Sequence, residues 1–328
     1  MMNLFQEVQT KFNAAKESGD LISFDSTQVV KESGGIKFTI TLAPALAKKE
    51  ENKKENQQKE EKPNPFLNPN PALVIQETEE HRLLLNKFAV IPNHLLIVTK
   101  EFHKQTEPLF PNDLYETYQA LQGFGMSRPA LAFFNCGNQS GASQGHKHVQ
   151  VLPLEYSQSA QPPIKQLYDE IHDRHIGQIY AINKLPFVHV IMALDSNAVR
   201  QTSQNKEALS DYLGQMFFGI LDAMFQQLRE NSLPMDTSYN FLMTQEFMML
   251  IPRRKEVATI EHNGKTFEFS INSLGFAGLM LCKTEEELAA LEAQENLMDM
   301  LTQVGVAWDP QSAKYDAERQ MAASTELA

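Results

Sequence analysis

Residues 135–150 read NCGNQSGASQGHKHVQ, and the fold of the chain turns on this stretch. Its first half is a polar loop carrying Gly137, Gly141 and Gly145; its second half alternates, with His146, His148 and Gln150 two residues apart. A strand puts residues i, i+2 and i+4 on one face. Two imidazoles and a carboxamide then point together, while Lys147, Val149 and Val151 point away.

The neighbouring sequence supports a sheet. PALAFFN, just upstream, reads as a strand, and before it PNDLYETYQALQGFG places Leu114, Tyr118, Leu121 and Phe124 on one helical face that stops near Gly125. ALVIQ, HRLLLNKFAV and HLLIVTK are short β-rich runs separated by turn residues, as in an antiparallel meander. At the start of the chain, Leu4, Phe5, Val8, Phe12 and Ala15 recur at helical spacing before Gly19, and the strand IKFTITL follows a Gly34-Gly35 turn. Downstream, a helix is expected over IKQLYDEIHDRHI, a strand over FVHVIMAL, a long helix from about Asn205 to Arg229 and strands over YNFLM and FMMLI. Asn263-Gly264 marks a two-residue hairpin, and Thr284 with Glu287 caps a last helix running towards Gly305. The order predicts an α+β fold with local strand pairing. HRLLLNKFAVIPNHLLIVTKEF and YNFLMTQEFMMLIPRRKEV both read as strand, turn, strand and basic residues, which suggests two related sheet units.

Residues 48–62, KKEENKKENQQKEEK, contain no apolar side chain and precede four closely spaced prolines, so a solvated insertion is expected there. Cys136 and Cys282 have no paired spacing, which argues against a disulfide scaffold or thiolate zinc site and for a reducing, cytoplasmic setting. No apolar run is long enough to span a bilayer, and the first residues are too polar for a secretory signal. A net charge of −12 disfavours binding to nucleic acid or an anionic membrane, because both need a basic surface. A polyanionic small substrate must be held by local groups.

The central stretch can supply them. A neutral imidazole is an available nucleophile near pH 7, the glycines allow close backbone approach, and Asn138, Ser140, Ser143 and Gln144 offer hydrogen-bond donors for phosphate. Taken alone, His-x-His on a strand is as readily a surface pair or two metal ligands, and a Gly/Ser loop is usually only a loop.

The complete run G-x-x-S-G-A-S-Q-x-H-x-H-x-Q over residues 137–150 resembles the signature of the ATP adenylyltransferase, or diadenosine tetraphosphate phosphorylase, family of the histidine-triad superfamily, in its galactose-1-phosphate uridylyltransferase-like branch. The resemblance extends to GGIKFTITLAPALAKK, NKFAVIPNHLLIVTKEF, SYNFLMTQEFMMLIPRR and NSLGFAGLMLCK, in corresponding order along most of the chain. It implies a histidine-triad-like antiparallel sheet with packed helices. Residues 1–185 would form the catalytic part, including the 48–62 insertion, and residues 186–328 an α+β part completing the nucleotide site. The implied reaction splits diadenosine tetraphosphate with phosphate into ATP and ADP, and runs in reverse, through a covalent AMP–histidine.

By the same resemblance His148 is the nucleophile and His146 orients it. Gln150 stands where histidine-triad hydrolases carry a third histidine, and an amide can donate a hydrogen bond but cannot act as a general acid. Transfer of AMP to phosphate or a nucleotide is therefore expected over hydrolysis. Asn135, Asn138, Ser140, Gly141, Ala142, Ser143 and Gln144 are expected to bind phosphate, with Lys87, Asn93, Gln245, Arg253 and Lys283 as further substrate contacts. Lys37, Asn86, Lys100 and Phe276 lie in matching segments. No resident metal or tightly bound cofactor is expected; a divalent cation such as Mg would accompany the polyphosphate. The expected state is a monomer acting on diadenosine tetraphosphate, ATP, ADP, AMP and phosphate. The competing readings are a dinucleoside polyphosphate hydrolase, a silent nucleotide-binding protein and a metal-binding β-protein.

Overall fold

Strands that are apolar on both faces and buried at every position, as in ALAFFNC with its single Asn135 and FMMLIPR with its terminal Arg253, need cover on both sides of their sheet. In a computed structural model, which describes residues 3–47, 64–125, 129–154, 161–230 and 238–307, they lie at the centre of a nine-stranded antiparallel sheet. Its strands in chain order are β1 (Val74–Glu77), β2 (His81–Leu85), β3 (Leu95–Thr99), β4 (Ala130–Cys136), β5 (His148–Pro153), β6 (Ile179–Tyr180), β7 (Val190–Ala193), β8 (Ser238–Met243) and β9 (Phe247–Arg253). Across the sheet the order is β6-β7-β9-β8-β4-β5-β3-β2-β1.

This order contains a repeat. The run β2, β3, β4, β5 and the run β6, β7, β8, β9 adopt the same arrangement, and they join where β4 pairs antiparallel with β8, Asn135 opposite Asn240. Each run has a helix after its second strand: α2 (Pro111–Gly123) and α3 (Lys206–Glu230), which pack on one another. Two related units are thus present within one continuous sheet. The β8–β9 hairpin answers to β4–β5, however, and not to β2–β3 as the sequence likeness suggested. The expected division near residue 185 leaves β6 ahead of it, and the sheet runs through it.

Two cores cover the sheet. On one face Ala132, Phe134, Val149, Val151, Phe241 and Met248 pack under α1 (Leu4–Ser18), α2 and α3. On the other face Leu131, Phe133, Leu152, Leu242, Met249 and Ile251 meet Ile36, Phe38 and the segment from Ala258 to Val304. That second layer includes Ile36–Leu42, which pairs in parallel with Leu279–Cys282, so the last third of the chain closes onto its start. Asn263 and Gly264 both have positive φ in the hairpin joining Val257–His262 to Lys265–Ser270.

Two helices are shorter than expected. Helix Pro163–Asp169 ends before the polar run 172–175, which offers no face to bury. The last helix is split into Glu285–Ala293 and Met298–Val304: the backbone turns extended at Gln294, and the Asn296 side chain accepts the Met298 amide ahead of the second helix. No described helix is long and apolar enough to cross a membrane. The 48–62 insertion lies outside the described residues.

Candidate active site

The connection between β4 and β5 spans residues 137–147, whereas that between β8 and β9 spans only 244–246. The longer loop is what the first unit adds. Gly141, at φ 78°, is pressed onto the covering layer: a methyl there would come within 2.8 Å of the Ile271 carbonyl and 2.9 Å of Asn272 Cβ. Only glycine accepts both that backbone and that approach.

The loop delivers the chain into β5, where Gln150 and Leu152 face the Ile36-to-Val304 side, His148 lies on the same face against Phe66, and Val149 and Val151 face the helical side, as the alternation requires. Lys147 likewise turns to the helices, where its ammonium donates to Pro108 O at 2.9 Å and lies 4.2 Å over the Phe110 ring.

His148 is 3% exposed, and its Nδ1–H donates to the His146 carbonyl at 2.8 Å. This bond selects the neutral tautomer whose lone pair is on Nε2. Burial pushes the imidazole pKa down to about 4, outweighing the opposing hydrogen bond, so the ring is an uncharged nucleophile at neutral pH. His146 contributes that carbonyl. Its own ring is held by Thr99 O at Nε2 and the Asn64 amide at Nδ1, both at 2.9 Å, and Phe66 stands against both imidazoles at 5.7 and 5.3 Å. With both His146 nitrogens engaged, the pair is poorly arranged for a metal. Among the described residues no group of three or more His, Cys, Asp or Glu could hold one.

Burial also lowers the pKa of His94 to about 3 and of His189 to about 4. All three histidines are neutral when folded and become protonated below about pH 6.5 when unfolded, so the stability that depends on them is present above that value and lost as pH falls. His146 is shifted down by burial as well, so unfolding near about pH 5 is expected to take up at least about three protons, lowering the melting temperature well below its value at about pH 7. Calorimetric scans in buffers of different ionisation enthalpy measure this, and a level melting temperature between those pH values would contradict it.

Behind the nucleophile is a buried polar hub. Asn135 Oδ1 accepts from Asn240 Nδ2 at 2.8 Å, Ser273 Oγ at 2.6 Å and Ser273 N at 3.0 Å. Asn240 Nδ2 also donates to Ser140 O at 2.9 Å, and Arg253 donates to Ser140 O at 3.2 Å and to Asn240 Oδ1. Asn240 and Arg253 therefore hold the loop from beneath at the Ser140 carbonyl, with Asn135 tied to Asn240 behind them. Arg253 is 1% exposed and its donors are spent on carbonyl and amide oxygens, which corrects its expected place as a phosphate contact.

The other expected contacts divide. Asn138, Ser143 and Gln144 are exposed on the loop, with Gly141 and Ala142 partly so. Lys87 is exposed, its ammonium 6.0 Å from the Phe88 ring, and Asn93 is buried with φ 59° in the turn before His94. Gln245 lies in the β8–β9 turn, at the end of the sheet opposite the glycine loop, and donates to Leu121 O at 3.1 Å. It is too remote to touch a substrate at His148. Lys283 follows strand Leu279–Cys282, and its amide donates to Glu287.

Beside Gln150 a cleft of about 220 Å³ opens between the sheet and the Phe269–Leu281 segment, lined by Asn86, Phe88, Val90, His94, Phe133 and Leu152 among others. The Gln150 carboxamide lies against His94, which Asn86 contacts at Nδ1 at 3.0 Å. His94, Asn240 and Ser273 were not singled out from the sequence. The available signal was a lone polar residue in an apolar strand, as with Asn240 in YNFLM.

The family model for the Ap4A phosphorylase N-terminal domain matches residues 1–170, and that for the ATP adenylyltransferase C-terminal domain matches residues 183–307. Diadenosine 5',5'''-P1,P4-tetraphosphate phosphorylase 2 of Saccharomyces cerevisiae is 30% identical over 314 residues, covering 90% of this chain and 92% of that protein. Protein APA1 of the same yeast is 26% identical, covering 91% and 92%. The crystal structure of yeast Ap4A phosphorylase Apa2 in complex with AMP superposes with a TM-score of 0.75 at 28% identity, over 94% of this chain and 98% of that one. The same enzyme in complex with Ap4A gives 0.74. With both halves matched in order, the chain belongs to the Ap4A phosphorylase and ATP adenylyltransferase family.

Proposed function

We propose that the chain transfers the adenylyl group of diadenosine tetraphosphate to phosphate, forming ATP and ADP, and catalyses the reverse reaction. The observation that carries this reading is His148, held neutral with its Nε2 lone pair available on a chain similar to an Ap4A phosphorylase along nearly its whole length. In the first step Nε2 attacks the α-phosphorus, an N–P bond forms, the P–O bond to the bridging oxygen breaks, and ATP leaves. In the second step a phosphate oxygen attacks the same phosphorus, ADP forms and the imidazole is restored.

The Nδ1–H bond to His146 O stabilises the positive charge that develops on the ring in the first step. Asn138, Ser143 and Gln144 are exposed on the loop and are assigned to the phosphates, while the cleft lined by Phe88, His94 and Phe133 takes an adenosine. Gln150 faces that cleft with an amide that cannot supply a proton; polyphosphate is a weakly basic leaving group and departs without one. A divalent cation would enter with the polyphosphate, and the enzyme acts as a monomer.

The decisive measurement is the intact mass after incubation with diadenosine tetraphosphate and no phosphate. One added adenylyl group that disappears when phosphate is supplied, with release of ADP, is expected. Products of ADP-free hydrolysis that form equally well without phosphate would replace this reading with a hydrolase.

A further inference from the structure

The pairing of β4 with β5 ends at Phe133 opposite Gln150. Two residues further along the same register, Asn135 would face His148, but no backbone pairing is made there. The carboxamide of Gln105 occupies the gap. Its Oε1 accepts the His148 amide at 2.8 Å, and its Nε2 donates to the Asn135 carbonyl at 2.9 Å and lies 3.3 Å from the His148 carbonyl. One amide thus replaces the missing ladder contact, accepting on one strand and donating to the other.

The anchoring is specific. Gln105 is 3% exposed, and its backbone N–H donates to Gly145 O at 2.9 Å, while Lys147 N donates to His103 O at 2.8 Å. The segment carrying Gln105 is therefore laced to the end of the glycine loop just before the nucleophile. From there its side chain crosses to the hub residue Asn135, whose own side chain is tied to Asn240 and Ser273.

We propose that Gln105 is a positioning residue for the adenylyl transfer: an inserted amide that holds β4 and β5 apart at His148 and fixes the backbone from which the nucleophile projects. It rests on the phosphorolysis reading above. The His148 amide and the His146 carbonyl that orients its ring lie within three consecutive residues at the entry to β5. A shift at the Gln105 bond therefore moves the reacting nitrogen, and a displacement of about 1 Å can cost about 10²-fold in rate.

The test compares Gln105→Leu and Gln105→Glu with the unmodified protein in diadenosine tetraphosphate phosphorolysis between about pH 5.5 and about pH 8.5, with melting temperatures alongside. A buried glutamic acid has a raised pKa. Below it the protonated group donates to Asn135 O and accepts from His148 N, as glutamine does; above it the oxygen in the place of Nε2 has no proton to donate and confronts the Asn135 and His148 carbonyls. The Gln105→Glu variant is expected within about tenfold of the unmodified enzyme at the acid end and to fall about 10²-fold as pH rises, chiefly in kcat. The Gln105→Leu variant is expected to lose kcat to a similar degree at every pH. A Gln105→Glu profile parallel to that of the unmodified enzyme, or inactivity at every pH, overturns the proposal even if Gln105→Leu fails to fold. Absence of phosphorolysis in the unmodified protein instead overturns the functional reading and, with it, the positioning role given to Gln105.

Discussion

His148→Ala is expected to abolish formation of the adenylylated protein and to lower phosphorolysis by at least about 10⁴-fold, with little change in KM, because the group that makes the covalent bond is gone. Neither of the other two residues of the motif can stand in for it. His146 has both ring nitrogens engaged, by Thr99 and by Asn64, and the Gln150 amide is not nucleophilic. The variant should fold: it loses one ring contact with Phe66 and the Nδ1–H bond to His146 O, while the backbone bonds of residue 148 to Gln105 do not involve the imidazole. Its stability should also depend less on acid, since one of the buried histidines whose pKa burial lowers is removed. Intact-mass measurement with diadenosine tetraphosphate settles the assignment; labelling that persists in His148→Ala means that another residue is the nucleophile.

The features that the sequence made legible are those that depend on local pattern. Period-two alternation put His148 and Gln150 on one face with Val149 on the other, and helical spacing with a terminal glycine bounded α1 at Ser18 and Gly19. What remained hidden depends on contacts between distant residues. Nothing in YNFLM says that Asn240 will face Asn135, 105 positions earlier, and nothing in the polar run around residue 105 says that its amide will enter a gap between two strands. The repeat was glimpsed but misaligned, since any two buried hairpins look alike in sequence; strand order and the placing of α2 and α3 decide which hairpins correspond.

Arg253 is the clearest case of a residue whose type was informative and whose direction was not. A basic residue at the end of a strand can reach outward to phosphate or inward to carbonyls, and the sequence is the same for both. Here the guanidinium turns inward, donating to Ser140 O, Val304 O, Lys255 O, Glu256 O and Asn240 Oδ1, with the Phe276 ring 5.3 Å away. Burial pushes its pKa down to about 9, which still leaves it charged at neutral pH.

Arg253→Ala would leave those oxygens without their donor in a buried site, and the expected loss is about 3–5 kcal/mol of stability, seen as a marked fall in melting temperature or denaturation midpoint. Activity should fall with it, since Ser140 belongs to the loop that leads into His148. Arg253→Lys should recover only part of the stability, because one ammonium cannot span positions that a planar five-donor group reaches at once. A phosphate clamp would behave differently: KM for diadenosine tetraphosphate or phosphate would rise while the melting temperature stayed level. Arg253 ties the glycine loop, β8 and the Val304 end of the second layer together through one side chain, so stability and kcat are the quantities that should move.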